Sequence, residues 1–231
     1  MQFIIMVILT VVCCAAANAY VNAAAEKPGK RALWLKTLAS GCFVAVGAIG
    51  ASGCWYTEFG YLVLGGLVCG FAGDVLLGCR YVYPKKKWTF FALGMALFAL
   101  GHGLYIAALL SFTPKILYVA GPYAAAAFAL SYLYLRKSSV KAGKFALPGG
   151  VYLAELCLMA GCAAGAAVYA LSPGSILFAI GGLFFLMSDD LLTVHTFCKS
   201  KSSPDRYRAL HILYYSAQIF FGYSLILLFV I

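Results

Sequence analysis

Long apolar runs alternate along the chain with short polar breaks. A helix that crosses a bilayer needs ~20 mostly apolar residues, and eight stretches meet that length. They lie at about 3–23, 32–52, 59–79, 88–111, 115–135, 147–170, 174–197 and 209–231. The breaks are too short to hold an extramembrane domain, so residues 1–231 are expected to form a single membrane domain. Lipid offers no partner to a backbone amide, and each segment must pair its own groups internally. The pattern therefore predicts an all-α fold, a polytopic bundle of eight transmembrane helices. Gly66/Gly70 and Gly161/Gly165 have the small-xxx-small spacing that lets helices approach closely, which is a packing feature.

Composition agrees and narrows the class. Hydrophobic residues make up 64% of the chain and charged residues 10%, with a mean hydropathy of +0.94. Soluble domains carry ~25% charged residues, so a water-soluble globule, a disordered chain and a collagen-like fibre are excluded. The formal charge of +10 could suggest nucleic acid, but its placement says otherwise. Lys27, Lys30, Arg31 and Lys36 surround the first loop, and Arg80, Lys85, Lys86 and Lys87 follow the third span. Arg136, Lys137, Lys141 and Lys144 fill the fifth loop, and Lys199, Lys201, Arg206 and Arg208 the seventh. Only Lys115, of 17 basic residues, falls on the other side. The positive-inside rule puts those four loops in the cytoplasm and both termini outside. No basic cluster has a folded surface that could serve as a nucleic-acid groove.

Residues 3–19 resemble the apolar core of a signal peptide, with Ala17-Asn18-Ala19 as a cleavage-like site. No Lys or Arg precedes the run, as a signal would require, so it is expected to be the first membrane helix. Cys13, Cys14, Cys42, Cys69, Cys157 and Cys162 lie within spans, where cysteine behaves as a small hydrophobe. The count is odd, no CxxC occurs, and Cys54 sits in a non-cytoplasmic loop; neither disulfides nor a thiolate metal site is indicated.

An ionisable group inside a span is costly and marks a functional site by default. Glu26, Glu58 and Asp205 are in loops, whereas Asp74, Glu155, Asp189 and Asp190 are inside spans. Asp74 lies some six residues, on the order of 9 Å, from the cytoplasmic end of its span. Asp189, Asp190 and Glu155 fall at a comparable level, so acids from three helices are expected to converge. Tyr152, Glu155 and Met159 share one helix face. His211, Tyr214 or Tyr215, and Gln218 form a polar stripe on the last span, and His102 and Tyr105 sit somewhat deeper on the fourth. His102 either lines a cavity floor or belongs to a separate contact. His195, near a span end, is interfacial. Each acid taken alone could instead bond a neighbouring hydroxyl and fix the helix register, most readily Asp190, which points ~100° away from Asp189.

Gly-Asp-Val-Leu-Leu in the third span, Gly-His-Gly-Leu-Tyr in the fourth and Ser-Asp-Asp-Leu-Leu in the seventh occur in that order. With Tyr152 and Tyr-Tyr-Ser-Ala-Gln in the last span, the set resembles the YhhN-like lysoplasmalogenase family of eight-helix membrane proteins. The resemblance runs from the third span onward; the first two spans match in hydropathy alone. It implies a hydrolase that cleaves the vinyl ether of lysoplasmalogens to a fatty aldehyde and a glycerophospho-ethanolamine or -choline. The positions that carry it are Asp74, His102, Tyr105, Tyr152, Ser188, Asp189, Tyr215 and Gln218, while Asp190 and Glu155 are supporting candidates outside the pattern.

The chemistry suits these residue types. A vinyl ether hydrolyses by protonation at carbon, and water captures the oxocarbenium ion as a hemiacetal. One acid must deliver the proton and a second group must stabilise the cation or activate water, a division that glycosidases make between two carboxyl groups. Asp74 and Asp189 are the expected pair, with acid and base unassigned. Tyr215 and Gln218 would orient water or the ether oxygen, and His102 would hold a carboxylate or share the proton. The expected partners are a lysophospholipid entering laterally and the membrane lipids, with no cofactor, metal or nucleic acid. Two rivals stand beside this reading. A zinc hydrolase would need three protein ligands and a water, yet the histidines lie at different depths and no HxxxH occurs. A transporter or proton relay would be supported by inverted repeats with broken helices, and no internal repeat is evident in the sequence.

Overall fold

A computed structural model describes residues 1–52, 57–198, 200 and 203–227. Cys54, Lys199, Lys201 and the end of the last predicted span lie outside the described residues. Eight helices are present among the described residues: α1 (Gln2–Glu26), α2 (Lys30–Ala51), α3 (Glu58–Val82), α4 (Lys87–Leu110), α5 (Leu117–Lys137), α6 (Ala146–Ala170), α7 (Pro173–Phe197) and α8 (Pro204–Leu227). All eight are long and apolar enough to cross a membrane. The chain is an all-α, multi-pass membrane bundle.

Local chemistry sets several of the helix ends. The Thr57 hydroxyl accepts the Gly60 amide at the start of α3. Ser172 and Ser175 form a reciprocal capping box ahead of α7, with Pro173 in the first turn, where its missing N–H costs nothing. Leu171 takes the left-handed conformation that closes α6.

The helices pack in a closed ring, α2–α3–α4–α6–α7–α8 and back to α2. α1 lies outside against α2 and α8, and α5 outside against α6 and α7. The ring interior is filled by aromatic side chains. Tyr105, Phe178, Phe185 and Phe221 are almost wholly buried, and Phe178 and Phe221 lie 4.5 Å apart between ring centroids.

The ring also corrects the expectation that no internal repeat exists. Advancing the helices by four maps α1·α2 onto α5·α6, α2·α3 onto α6·α7, α3·α4 onto α7·α8 and α2·α8 onto α6·α4, all pairs in contact, whereas among the described residues α1·α8 and α3·α8 have no counterpart in α5·α4 and α7·α4. Individual residues follow at a spacing of 115 or 116 positions. Gly66 of α3 packs on the ring of Tyr105 of α4, and its counterpart Gly181 of α7 packs on Phe221 of α8. Tyr105 and Phe221 themselves meet at 4.7 Å, and Phe98 and Tyr214 at 6.0 Å, so equivalent residues face each other across the middle of the ring. Four helices per repeat return the chain to its starting side, so the halves are parallel copies rather than inverted ones, and none of their helices is broken. Asp74 and Asp189 are equivalent residues of the two halves.

Candidate active site

Asp74 and Asp189 each stand eight residues before the end of their helix, on the order of 12 Å along the axis. The short loops at that end carry most of the bases. A small cavity of about 30 Å³ inside the ring is lined by both carboxylates, together with Lys36, Ser188, His211 and Tyr214. Two acids from opposite repeats thus border one space.

Asp74 is buried and fully coordinated. Lys36 Nζ lies 2.7 Å from one carboxylate oxygen. The other oxygen accepts hydrogen bonds from Ser40 Oγ at 2.6 Å and from the Tyr214 hydroxyl at 2.7 Å. A second layer holds Tyr214 in place: Gln218 Nε2 donates to its oxygen at 3.1 Å, and Gln218 Oε1 accepts from Tyr105 at 3.3 Å. The Lys36 ammonium is further flanked by the rings of Tyr20, at 5.2 Å, and Tyr214, at 5.6 Å. Charge, donors and aromatic faces together offset the cost of desolvating an ion pair.

Asp189 is held differently. One of its oxygens accepts a hydrogen bond from Tyr152 of α6. Besides the small cavity, Asp189 borders a much larger one of about 430 Å³, walled by α4, α5, α6 and α7. That space is overwhelmingly apolar, with Phe98, Phe128, Leu153 and Leu192 in its walls and Arg136 toward the basic end. Leu77, Phe98 and Leu192 border both cavities, so Asp189 occupies the junction. The two acids make a chemically unlike pair, one saturated by donors and the other facing an oily space.

The structure rearranges several expectations. Lys36 is not a loop base; it lies six residues inside α2, is 5% exposed, and serves as the counter-ion of Asp74. Its signal was available in the sequence, since Lys36 and Ser40 are spaced i, i+4 on one face of an apolar helix. Tyr214, rather than Tyr215, reaches the acid; Tyr215 packs beside Phe43 and His211. Gln218 is buried behind Tyr214 and borders neither cavity, which removes it from direct contact with a reacting group. Tyr105 occupies the same inner layer.

His102 does not hold a carboxylate. It is buried edge-on to Phe185 at 4.8 Å and beside Tyr152 at 5.4 Å, and neither ring nitrogen has a hydrogen-bond partner. Glu155 does not converge with Asp74 and Asp189; it is partly exposed and faces Gly103 of α4. Asp190 turns outward, accepting from Ser131 of α5 at 2.7 Å on the wall of the apolar cavity. Ser188 is buried on the small cavity.

Among the described residues, no group of three or more His, Cys, Asp or Glu gathers as a metal site would need. Comparison with curated proteins and with solved structures found no match. The model of the YhhN family, however, matches residues 32–225, from the helix that carries Lys36 to the last turns of α8. With that span covering both acids and nearly all of the ring, the chain belongs to the YhhN family.

Proposed function

We propose that the protein is a membrane-embedded hydrolase that cleaves the vinyl ether of lysoplasmalogens. The observation that carries the reading is the position of Asp189, at the junction between the small cavity it shares with Asp74 and the apolar cavity. Family membership supports the same activity, since the YhhN family is associated with lysoplasmalogenase chemistry.

Asp189 is the proton donor. Its carboxylic acid protonates the β-carbon of the vinyl ether, and the electron pair of the double bond takes the proton while positive charge forms at the α-carbon and the ether oxygen. Water adds to that carbon, its proton returns to Asp189, and the hemiacetal collapses to an aldehyde and the glycerol hydroxyl of the head group. Asp74, ion-paired with Lys36 and accepting from Ser40 and Tyr214, stabilises the cation electrostatically. The apolar cavity takes the first part of the hydrocarbon chain, which enters from the bilayer. The basic loops face the cytoplasm and both termini lie outside, in keeping with the positive-inside rule.

The test is a substrate series. Detergent-purified protein is incubated with lysoplasmenyl, ordinary acyl and alkyl-ether lysolipids of one chain length. Aldehyde release from the vinyl ether alone is expected. Release from none of the three by folded wild-type protein would remove the proposal. Asp189→Asn should lower turnover ~10²–10⁴-fold, the usual worth of general acid catalysis.

A further inference from the structure

Arg80 occupies the last turn of α3, six residues beyond Asp74. It borders the small cavity of the two acids, and with Tyr81 it also borders a separate cavity of about 180 Å³ at the basic end of the bundle. Lys87, Trp88, Phe91, His195 and Thr196 complete that second space, and none of its described lining residues is an acid.

The arginine is set there with unused hydrogen-bonding capacity. One Nη donates to the Tyr81 hydroxyl at 2.6 Å, and the guanidinium lies over the rings of Tyr81, at 4.7 Å, and Phe91, at 5.6 Å. Its Nε is buried without a partner. Thr196 Oγ1, on the same cavity, is also buried without a partner. The Lys87 ammonium adds a second cation, 5.1 Å over the Trp88 ring. Buried polar atoms are ordinarily satisfied, and two orphans on one cation-lined cavity call for an anionic acceptor with several oxygens.

We propose that this cavity is a phosphate subsite that receives the head group of the lipid, with the Arg80 guanidinium as its principal cation. A planar guanidinium matches phosphate geometry and donates two parallel bonds to it. The spacing agrees with the proposed chemistry. Six helical residues advance ~9 Å along the axis. From the vinyl β-carbon to the phosphorus of a lysoplasmalogen there are seven bonds, about 8 Å at the advance per bond of an extended chain. A phosphate at Arg80 therefore leaves the vinyl ether level with the two carboxylates. The inference rests on the lysolipid reading above for the identity of its ligand, but the site can be tested without any cleavage.

The experiment measures equilibrium binding to the full-length protein in detergent. The probes are an alkyl-ether lysophosphatidylethanolamine, which has no vinyl ether to cleave, and the 1-O-alkylglycerol of the same chain. Wild-type protein is expected to prefer the phosphate-bearing probe about ten- to a hundred-fold, the worth of hydrogen bonds to a charged group. Arg80→Gln should bring the two affinities together, Arg80→Lys should restore part of the difference, and Lys85→Gln, exposed and outside the cavity, should leave it whole. If Arg80→Gln does not fold, Lys87→Gln, on the same cavity, should reduce the preference. Equal binding of both probes by wild-type protein, or an undiminished preference in Arg80→Gln, would overturn the proposal. Displacement of the lipid by millimolar inorganic phosphate would reassign the cavity to a free anion. Preference for phosphate without aldehyde release would sink the proposed activity and leave the subsite standing; cleavage without that preference would do the reverse.

Discussion

Lys36 and Asp74 join α2 to α3 through a 2.7 Å ion pair in which neither side chain has appreciable contact with solvent. Breaking such a pair from one side strands a charge in an apolar interior, at a cost of about 3–5 kcal/mol. Lys36→Met is thus expected to lower the thermal unfolding midpoint in detergent sharply. Lys36→Met combined with Asp74→Leu should recover much of the loss, because the stranded charge goes with the second change. A double-mutant cycle on unfolding midpoints measures the coupling; additive effects would mean that the pair is not formed. The double variant should still lack turnover, since the anion of the site is gone.

Tyr152 donates the hydrogen bond that, among the described residues, fixes Asp189 between the two cavities. Tyr152→Phe keeps the ring packed beside His102 and removes the hydroxyl. The acid remains but its orientation loosens, so kcat should fall up to about ten-fold, the worth of one hydrogen bond, with KM little changed. A rise in KM at constant kcat would indicate that Tyr152 binds substrate rather than orienting the acid.

The apolar cavity can be filled from a position where nothing obstructs it. A Cβ built at Gly149 meets no atom within 4 Å, and Gly149 lies on the cavity wall. Gly149→Phe is expected to fold normally while occupying space meant for the hydrocarbon chain. Measured over a series of chain lengths, KM should rise for long chains and change least for short ones. A uniform change across the series would argue that the chain lies elsewhere.

How much of this the sequence could disclose depended on the kind of signal. Asp74 and Asp189 stand out because an acid within an apolar run has no inexpensive explanation. Lys36 did not, because four bases near a helix start read as a loop cluster, and only its depth within α2 separates it from Lys27, Lys30 and Arg31. Choosing between Tyr214 and Tyr215 needed the rotation of α8 about its axis, which neighbouring polar residues leave open. The partnerless imidazole of His102 was equally hidden, since a histidine beside two glycines suggests space for a ligand when in fact Phe185 and Tyr152 close around it. The repeat is faint in the sequence because few identities survive in its spacing. Gly66 and Gly181 are alike, as are Asp74 and Asp189 and the Leu-Leu pairs near them, but Lys36 has become Tyr152 and Tyr214 answers to Phe98. What divergence changed most is the set of partners around each acid.

The repeat makes its own prediction, independent of catalysis. Gly66 and Gly181 occupy equivalent places, and each supports the aromatic ring of the next helix. A Cβ at Gly66 would fall 2.2 Å from Tyr105 Cε1, and at Gly181 2.8 Å from Phe221 Cε1. Both rings are fully buried and touch each other, so neither can withdraw without displacing its counterpart. Overpacking of this kind costs about 1–3 kcal/mol or more. Gly66→Ala and Gly181→Ala should each lower the unfolding midpoint, with Gly66→Ala the worse because its contact is closer. Because each ring can yield only against the other, the combined variant should lose more than the sum of the two. Tyr105→Leu, which removes the ring that Gly66 supports, should make Gly66→Ala nearly neutral. Strict additivity of the two alanine changes would mean that the halves of the ring pack independently, and that Tyr105 and Phe221 do not form the common centre of the bundle.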